Sequence, residues 1–253
     1  MNKTNDFIKV SPAAIHYLSL SSNGDISGIT SLAGKSPAPA SAPLYHPYRD
    51  LIGDEAQRWL AQESIPVSRL ALARQVHGAT VRRVSRAGIY PATDGFFTDL
   101  PQLSLTIRTA DCAAVLVSFP QVPAIGIAHA GWRGARENIV GRLLEEMFAH
   151  WPVDPASVRT ALSPHIKACC YRVGAEFSSF FPPEVLHRRG QARYFDLEKT
   201  LLNQLAQQQI PAENIAVAPF CTVCAPIPLY SYRRDKTAQR LFNLITIEKA
   251  HGA

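Results

Sequence analysis

Two strand-like runs, Leu103 to Phe119 and Ala124 to Ala130, follow one another and feed a helical stripe, and that order restricts the folds open to the chain. In the first run Leu103, Leu105 and Ile107 alternate inward, Thr109-Ala110-Asp111-Cys112 interrupts the pattern, and the rest is continuously apolar like a buried strand. The second run, AIGIAHA, ends against Gly131. From about Gly134 the residues Ile139, Val140, Leu143, Leu144, Met147, Phe148 and Trp151 recur at helical spacing, and Pro152 closes the segment. Strand and helix signals are mixed along the whole chain, which points to an α/β class with α+β layering. At 253 residues the chain is near the upper size for one hydrophobic core, so one domain spanning 1–253 is expected.

The remaining elements are read more coarsely. Residues 36–47, rich in proline and small side chains, are expected to form a surface loop. Gly34-Lys35-Ser36 looks like the end of a phosphate-binding loop, but Ile29 stands where a glycine is required and Pro37 opposes the helix that must follow. Asp54 is placed to cap a short helix to Glu63 with Trp59 and Leu60 inward. A strand or loop is expected over Arg159 to Ile166, a helix from about Val173, and a helix after Asp196 with Leu197, Leu201, Leu202 and Leu205 inward. A strand near Ile215 to Ala218 and a last helix after Asp235 complete the reading.

The net charge of +6 suits an anionic ligand. Lysine and arginine are scattered apart from Arg82, Arg83, Arg86 and Arg233, Arg234, Lys236, and no zinc finger, recognition helix or RNA-binding aromatic motif accompanies them. A small phosphate-bearing or nucleotide-like substrate is therefore favoured over a nucleic-acid partner. The first twenty residues carry charges and a proline, and no apolar run reaches the roughly 18 residues of a membrane span, so a soluble, cytoplasmic protein is expected. Five cysteines in a chain of this size read as reduced thiols or metal ligands.

Three residues stand where the chain leaves an apolar strand: His77 after Leu70-Ala71-Leu72-Ala73, Cys112 inside the interruption, and His129 before Gly131. Two imidazoles and one thiolate suit one zinc or copper ion with a fourth position open to water or substrate. Their spacing matches no short zinc-finger pattern, and each also reads as an ordinary core or surface residue.

RQVHG (Arg74 to Gly78), TADC (Thr109 to Cys112), AHAGWRG (Ala128 to Gly134), CCYRVG (Cys169 to Gly174) and SYRRD (Ser231 to Asp235), in this order, resemble the bacterial YfiH/YlmD family. That family is also called the laccase-domain or multicopper polyphenol oxidase family. DGFFTD (Asp94 to Asp99), Asp196-Leu197 and Cys221-Thr222 also resemble its landmarks, so the likeness runs from about His16 to Ile247. The resemblance implies a single-domain α/β fold shared with cysteine hydrolases of the cytotoxic-necrotising-factor type. It implies a zinc or copper site at His77, Cys112 and His129, and purine nucleoside phosphorylase activity with adenosine deaminase and methylthioadenosine phosphorylase activities. A further branch is described as a peptidoglycan-editing amidase. Multicopper oxidation is disfavoured because it needs about ten histidine ligands and the chain has eight in all.

The chain departs from the family pattern around the substrate. HYLSLSSNGDIS (His16 to Ser27) lacks the family's early arginine, Lys167 and Arg172 replace a glycine and a glutamate, and Ala238-Gln239-Arg240 stands for TGR. These losses keep a degenerate, non-catalytic binding protein open as a further alternative.

Within that frame Arg133, Arg233 and Arg234 are candidates for a phosphate clamp or for surface ion pairs. Asp111 either orients a metal-bound histidine or caps its turn. Gln75 either meets a purine edge or makes a structural hydrogen bond. Cys112 with His129 also resembles the nucleophile and base of a cysteine hydrolase, the basis of the amidase alternative. Cys169, Cys170, Cys221 and Cys224 are read as packing residues. Nucleoside and phosphate are the expected partners of a monomer or homodimer.

Overall fold

The two apolar runs pair with each other. In the computed structural model, which describes residues 8–20, 25–33 and 51–248, β9 (Ala113–Phe119) and β10 (Ala124–Ala130) form an antiparallel ladder from Ala124↔Phe119 to Ala130↔Ala113. Every residue of both strands is buried. They form the centre of a six-stranded sheet with β5 (Val81–Arg83), β7 (Gly95–Thr98), β11 (Arg159–Leu162) and β15 (Ile215–Val217), ordered β15-β11-β9-β10-β7-β5.

A seven-stranded sheet packs against it. It comprises β1 (Ile8–Val10), β2 (Ala14–Tyr17), β3 (Ile26–Ser31), β4 (Leu70–Arg74), β6 (Gly88–Pro91), β8 (Ser104–Thr109) and β16 (Leu241–Ile247), ordered β1-β2-β3-β16-β8-β4-β6. A small sheet of β12 (Arg172–Val173), β13 (Leu186–Arg189) and β14 (Ala192–Phe195) stands apart.

Alternation along β9 and β10 explains why both faces are apolar. Ala114, Leu116, Ile125 and Ile127 share one core cluster with Leu105, Ile107, Leu241 and Ile245 of the facing sheet. Val115, Val117 and Ala128 instead join Leu143, Leu144 and Met147 of α3 (Ile139–His150) and Leu201 and Leu205 of α4 (Leu197–Gln207). On the far side of the seven-stranded sheet, Leu70, Leu72, Phe242 and Leu244 pack with Trp59 and Leu60 of α1 (Asp54–Gln62). The result is four layers, helix, sheet, sheet and helices, in agreement with the α/β class and α+β layering expected. Each fully buried leucine contributes roughly 1.5–3 kcal/mol.

Several boundaries differ from the sequence reading. The stripe from Gly134 to Trp151 is two helices, α2 (Trp132–Arg136) and α3, separated by Asn138 in the left-handed region (φ 57°) that asparagine tolerates. Asp54 is the first helical residue, with Gly53 at the cap, so its carboxylate meets the helix dipole instead of capping. No α-helix begins at Val173, which pairs with Arg193 in β12; a 3-10 turn over Ala175–Ser179 follows, and Pro182-Pro183 prevents its extension. The helix expected after Asp235 is strand β16, because α5 (Tyr232–Asp235) ends at Lys236 in a left-handed conformation. A continuous apolar run carries no periodicity to distinguish the two forms. Residues 36–47 and the Gly34-Lys35-Ser36 motif lie outside the described residues.

One polar chain crosses the seven-stranded sheet. The Tyr17 hydroxyl lies 2.8 Å from Thr30 Oγ1, which donates to Asn243 Oδ1 at 2.8 Å, while Asn243 Nδ2 donates to Ile107 O (3.2 Å) and Thr109 Oγ1 (3.0 Å). Asn243 is fully buried and holds the last residue of β8, from which the Asp111-Cys112 turn departs. Asn243→Ala is expected to destabilise the fold by about 1–3 kcal/mol, because partners lose their bonds while remaining buried. Urea unfolding measures it, and an unchanged midpoint would contradict this role.

Candidate active site

His77, Cys112 and His129 converge at one end of the six-stranded sheet. The register that pairs Ala130 with Ala113 places Gly131 and Cys112 just beyond the ladder, side by side. A Cβ at position 131 would stand 2.7 Å from Cys112 Sγ and 3.7 Å from His77 Cδ2, so glycine is required there by close approach. His129 lies near the end of β10 and is 2% exposed. His77 enters from the turn after β4 with a left-handed backbone (φ 62°), and its ring meets that of His129 edge-on at a centroid separation of 4.8 Å. One ligand atom from each of the three residues lies within 4.8 Å of the others.

Asp94, absent from the sequence reading of the site, organises this group. Its fully buried carboxylate lies 2.9 Å from His129 Nδ1 through Oδ1, which also accepts from His77 N–H at 3.0 Å. Oδ2 accepts from Val76 N–H (3.2 Å) and Gly78 N–H (2.9 Å). Burial alone would raise the Asp94 carboxyl, but the bond and charge of His129 and the backbone N–H groups hold it below its ordinary value. With Nδ1 turned to Asp94, Nε2 of His129 is left for its hydrogen bond with Cys112 or for an ion held there.

The electrostatics favour a charged sulfur. Burial pushes the Cys112 thiol up, yet the charge and hydrogen bond of His129, assisted by His77, bring it down to about 6. Burial lowers His129, but the Cys112 sulfur and Asp94 raise it to about 9. A thiolate is both the metal ligand and the nucleophile, so these donors fit a zinc or copper ion and also fit thiol chemistry.

The other expected residues divide. Arg133 is exposed in the first turn of α2, with its guanidinium 4.5 Å from the Trp132 ring. Arg233 lies 5.3 Å from the Tyr171 ring and donates from Nη1 to Arg172 O at 2.7 Å. Tyr171, also missed, borders Cys112: burial raises its hydroxyl first, Cys112 and Asp111 raise it further, and Arg233 and Arg133 act in opposition. Its place inside CCYRVG was the available signal.

Arg234 is not part of a clamp. Its Nη1 donates to Thr222 O and Val223 O, and its Nη2 to Leu229 O and Asp235, so the guanidinium braces a loop. Asp111 orients neither histidine: it accepts from Thr222 Oγ1 (2.7 Å) and Arg233 N–H (2.6 Å), tying the Cys112 turn to α5. Gln75 takes the structural alternative, with both amide atoms paired to the Arg108 backbone at 2.8 and 2.9 Å. The four remaining cysteines gather within 4.8 Å of one another; Cys221 lies in the core and Cys170 packs against it, as expected of packing residues, whereas Cys169 and Cys224 are exposed.

A family described as multi-copper polyphenol oxidoreductase laccase matches residues 50–248. The chain belongs to this family. Among relatives, a purine nucleoside phosphorylase of Aquifex aeolicus is 34% identical over 154 residues, covering 61% of this chain and 70% of that one. The purine nucleoside phosphorylase YlmD of Geobacillus stearothermophilus is 30% identical over 196 residues, covering 70% of each. A Mycobacterium bovis protein, also named purine nucleoside phosphorylase, is 30% identical over 223 residues, covering 82% of this chain and 88% of that one. In fold, YlmD superposes with a TM-score of 0.82 at 23% identity, covering 96% of this chain and 99% of its own. Bacillus licheniformis YfiH superposes with a TM-score of 0.81 at 22% identity, covering 95% and 99%. These YfiH/YlmD likenesses bear out the resemblance and the α/β class of the fold.

Asp94→Asn is expected to lower affinity for zinc by about 10–100-fold, since an orienting partner of a ligand is lost. Gly131→Ala should displace Cys112 and weaken binding similarly. Calorimetric titration with zinc checks both, and wild-type affinity in folded Asp94→Asn would contradict the assignment.

Proposed function

We propose that this chain is a metal-dependent purine nucleoside phosphorylase with adenosine deaminase and methylthioadenosine phosphorylase activities, acting in the cytoplasm as one domain. The observation that carries the reading is the convergence of His77, Cys112 and His129 on a common point, with Asp94 fixing the imidazole of His129. The names of three relatives support the nucleoside class. Zinc or copper held by the three residues would supply Lewis acidity and lower the pKa of a nearby water.

The chain's own groups account for the rest. Asp94 holds the proton at His129 Nδ1 and so leaves Nε2 to face the reacting centre, as a ligand when an ion is bound and as a base in the metal-free chain. Arg133, stacked on Trp132, and Arg233, stacked on Tyr171, are the candidate anion clamp for phosphate, replacing the three-arginine set. Phosphorolysis of adenosine joins a phosphate oxygen to C1′ and breaks the C1′–N9 bond, giving adenine and ribose 1-phosphate. Deamination joins a water oxygen to C6 and releases ammonia, giving inosine. Tyr171 is buried, and its ring supports the Arg233 guanidinium from below, with its hydroxyl held neutral by burial.

A second reading rests on the low Cys112 thiol. With Asp94, His129 and Cys112 aligned as orienter, base and nucleophile, the metal-free chain has the order of a cysteine amidase acting on peptidoglycan precursors. The kinship to cysteine hydrolases expected from the sequence belongs to this reading.

Metal-loaded protein is expected to convert adenosine and phosphate to adenine and ribose 1-phosphate in equal amounts, and adenosine alone to inosine, with chelation and His129→Ala abolishing both. Absence of any purine product, together with an acyl adduct on Cys112 from a muropeptide, would transfer the assignment to the amidase. Arg133→Lys should raise the KM for phosphate roughly tenfold, because a point charge replaces a bidentate fork. An unaltered phosphate KM would make Arg133 structural.

A further inference from the structure

A second cluster of sulfur lies away from His77, Cys112 and His129. Cys169 and Cys170 follow a short turn closed by Cys170 N–H to Lys167 O at 2.9 Å, and Cys221 and Cys224 flank another closed by Ala225 N–H to Cys221 O at 2.9 Å. A bridge between His165 and Cys221 and a 3.2 Å bond from Thr222 N–H to His165 O bring the turns together. We infer that Cys169, Cys170, Cys221 and Cys224 form a structural zinc site, a four-sulfur centre separate from the His77–Cys112–His129 group.

Geometry supports this directly. Sulfurs on a tetrahedral zinc with Zn–S of about 2.3 Å stand about 3.8 Å apart. Cys169 Sγ and Cys224 Sγ are 3.7 Å apart, and all four sulfurs lie within 4.8 Å of one another. The surroundings suit thiolates. Lys167 N–H points at Cys221 Sγ at 3.5 Å, and the Val223 and Cys224 backbone N–H groups, two and three residues on, also donate to it. Arg234 grips Thr222 O and Val223 O between the two cysteines, and Arg189 donates to Cys169 O at 3.2 Å, so cations flank a centre that would carry net negative charge. Four sulfurs and no open position describe a closed, structural site.

The centre would act on the active site through the chain that follows it. Tyr171 comes next after Cys170, and the carbonyl of Arg172 holds Arg233. Zinc at the four sulfurs would pin this wall to the loop that Arg234 and Asp111 brace.

The test uses the full chain, with zinc alone as probe, in the Cys112→Ala background that removes the first site's thiolate. Wild-type protein is expected to hold two zinc equivalents, Cys112→Ala one, and Cys112→Ala with Cys169→Ser and Cys224→Ser none. Cys169 and Cys224 are exposed, so these changes leave the core intact. Cobalt in Cys112→Ala should give the intense sulfur-to-metal charge-transfer absorption of a four-thiolate tetrahedral centre, and zinc should protect four thiols from alkylation as counted by mass spectrometry. Zinc retained in full by the Cys169→Ser, Cys224→Ser protein would overturn the inference. So would folded, reduced Cys112→Ala that binds neither ion, or a Cys169–Cys224 disulfide that persists in zinc-supplied protein held in a reducing buffer. Loss of nucleoside activity alone moves none of these readouts, so the inference and the functional reading fail separately.

Discussion

Four donors on one buried carboxylate hold the active end of this molecule in shape. Asp94 is fully enclosed, and an unpaired charge there would be strongly destabilising. Its lone pairs are instead taken by His129 Nδ1 and by the N–H groups of Val76, His77 and Gly78. The same interaction therefore sets two things at once: the tautomer of His129 and the left-handed turn that carries His77. Asp94 is itself fixed by the sheet, since its carbonyl accepts from His129 N–H at 2.7 Å and its own N–H donates to Thr80 O at 3.0 Å. Ladder and site are locked into one unit.

Around that unit, strand ends supply the remaining geometry. Cys112 is placed by the β9–β10 register and admitted by the missing side chain of Gly131. Asp111 anchors the Cys112 turn to Thr222 and Arg233, so the loop of the second sulfur cluster, α5 and the first site share one set of hydrogen bonds. A lowered thiol beside an oriented imidazole can serve as a metal ligand or as a nucleophile, and an ion held there would select the first.

Much of this was legible in the sequence because the physics was local. The apolar strands announced themselves by length and burial pattern, and His77, Cys112 and His129 stood at their ends. What was lost depended on distant partners. Asp94 reads only as part of the DGFFTD landmark, and folding alone brings it to His129, while Arg234 reads equally as a clamp or an ion-pair residue until backbone carbonyls and Asp235 are seen to take its donors. Strand β16 has no polar alternation to distinguish it from a helix, being buried throughout between β3 and β8. The four cysteines look like two unrelated pairs, and their meeting rests on the bridge between His165 and Cys221.

If His77, Cys112 and His129 together hold one ion, the coordination shell of that ion must show all three. X-ray absorption on zinc-loaded Cys169→Ser, Cys224→Ser protein reads that shell without contribution from the other cluster. The expected result is one sulfur at about 2.3 Å and two imidazole nitrogens at about 2.0–2.1 Å, with one further light atom. A shell without sulfur, or without imidazole scattering, would contradict it.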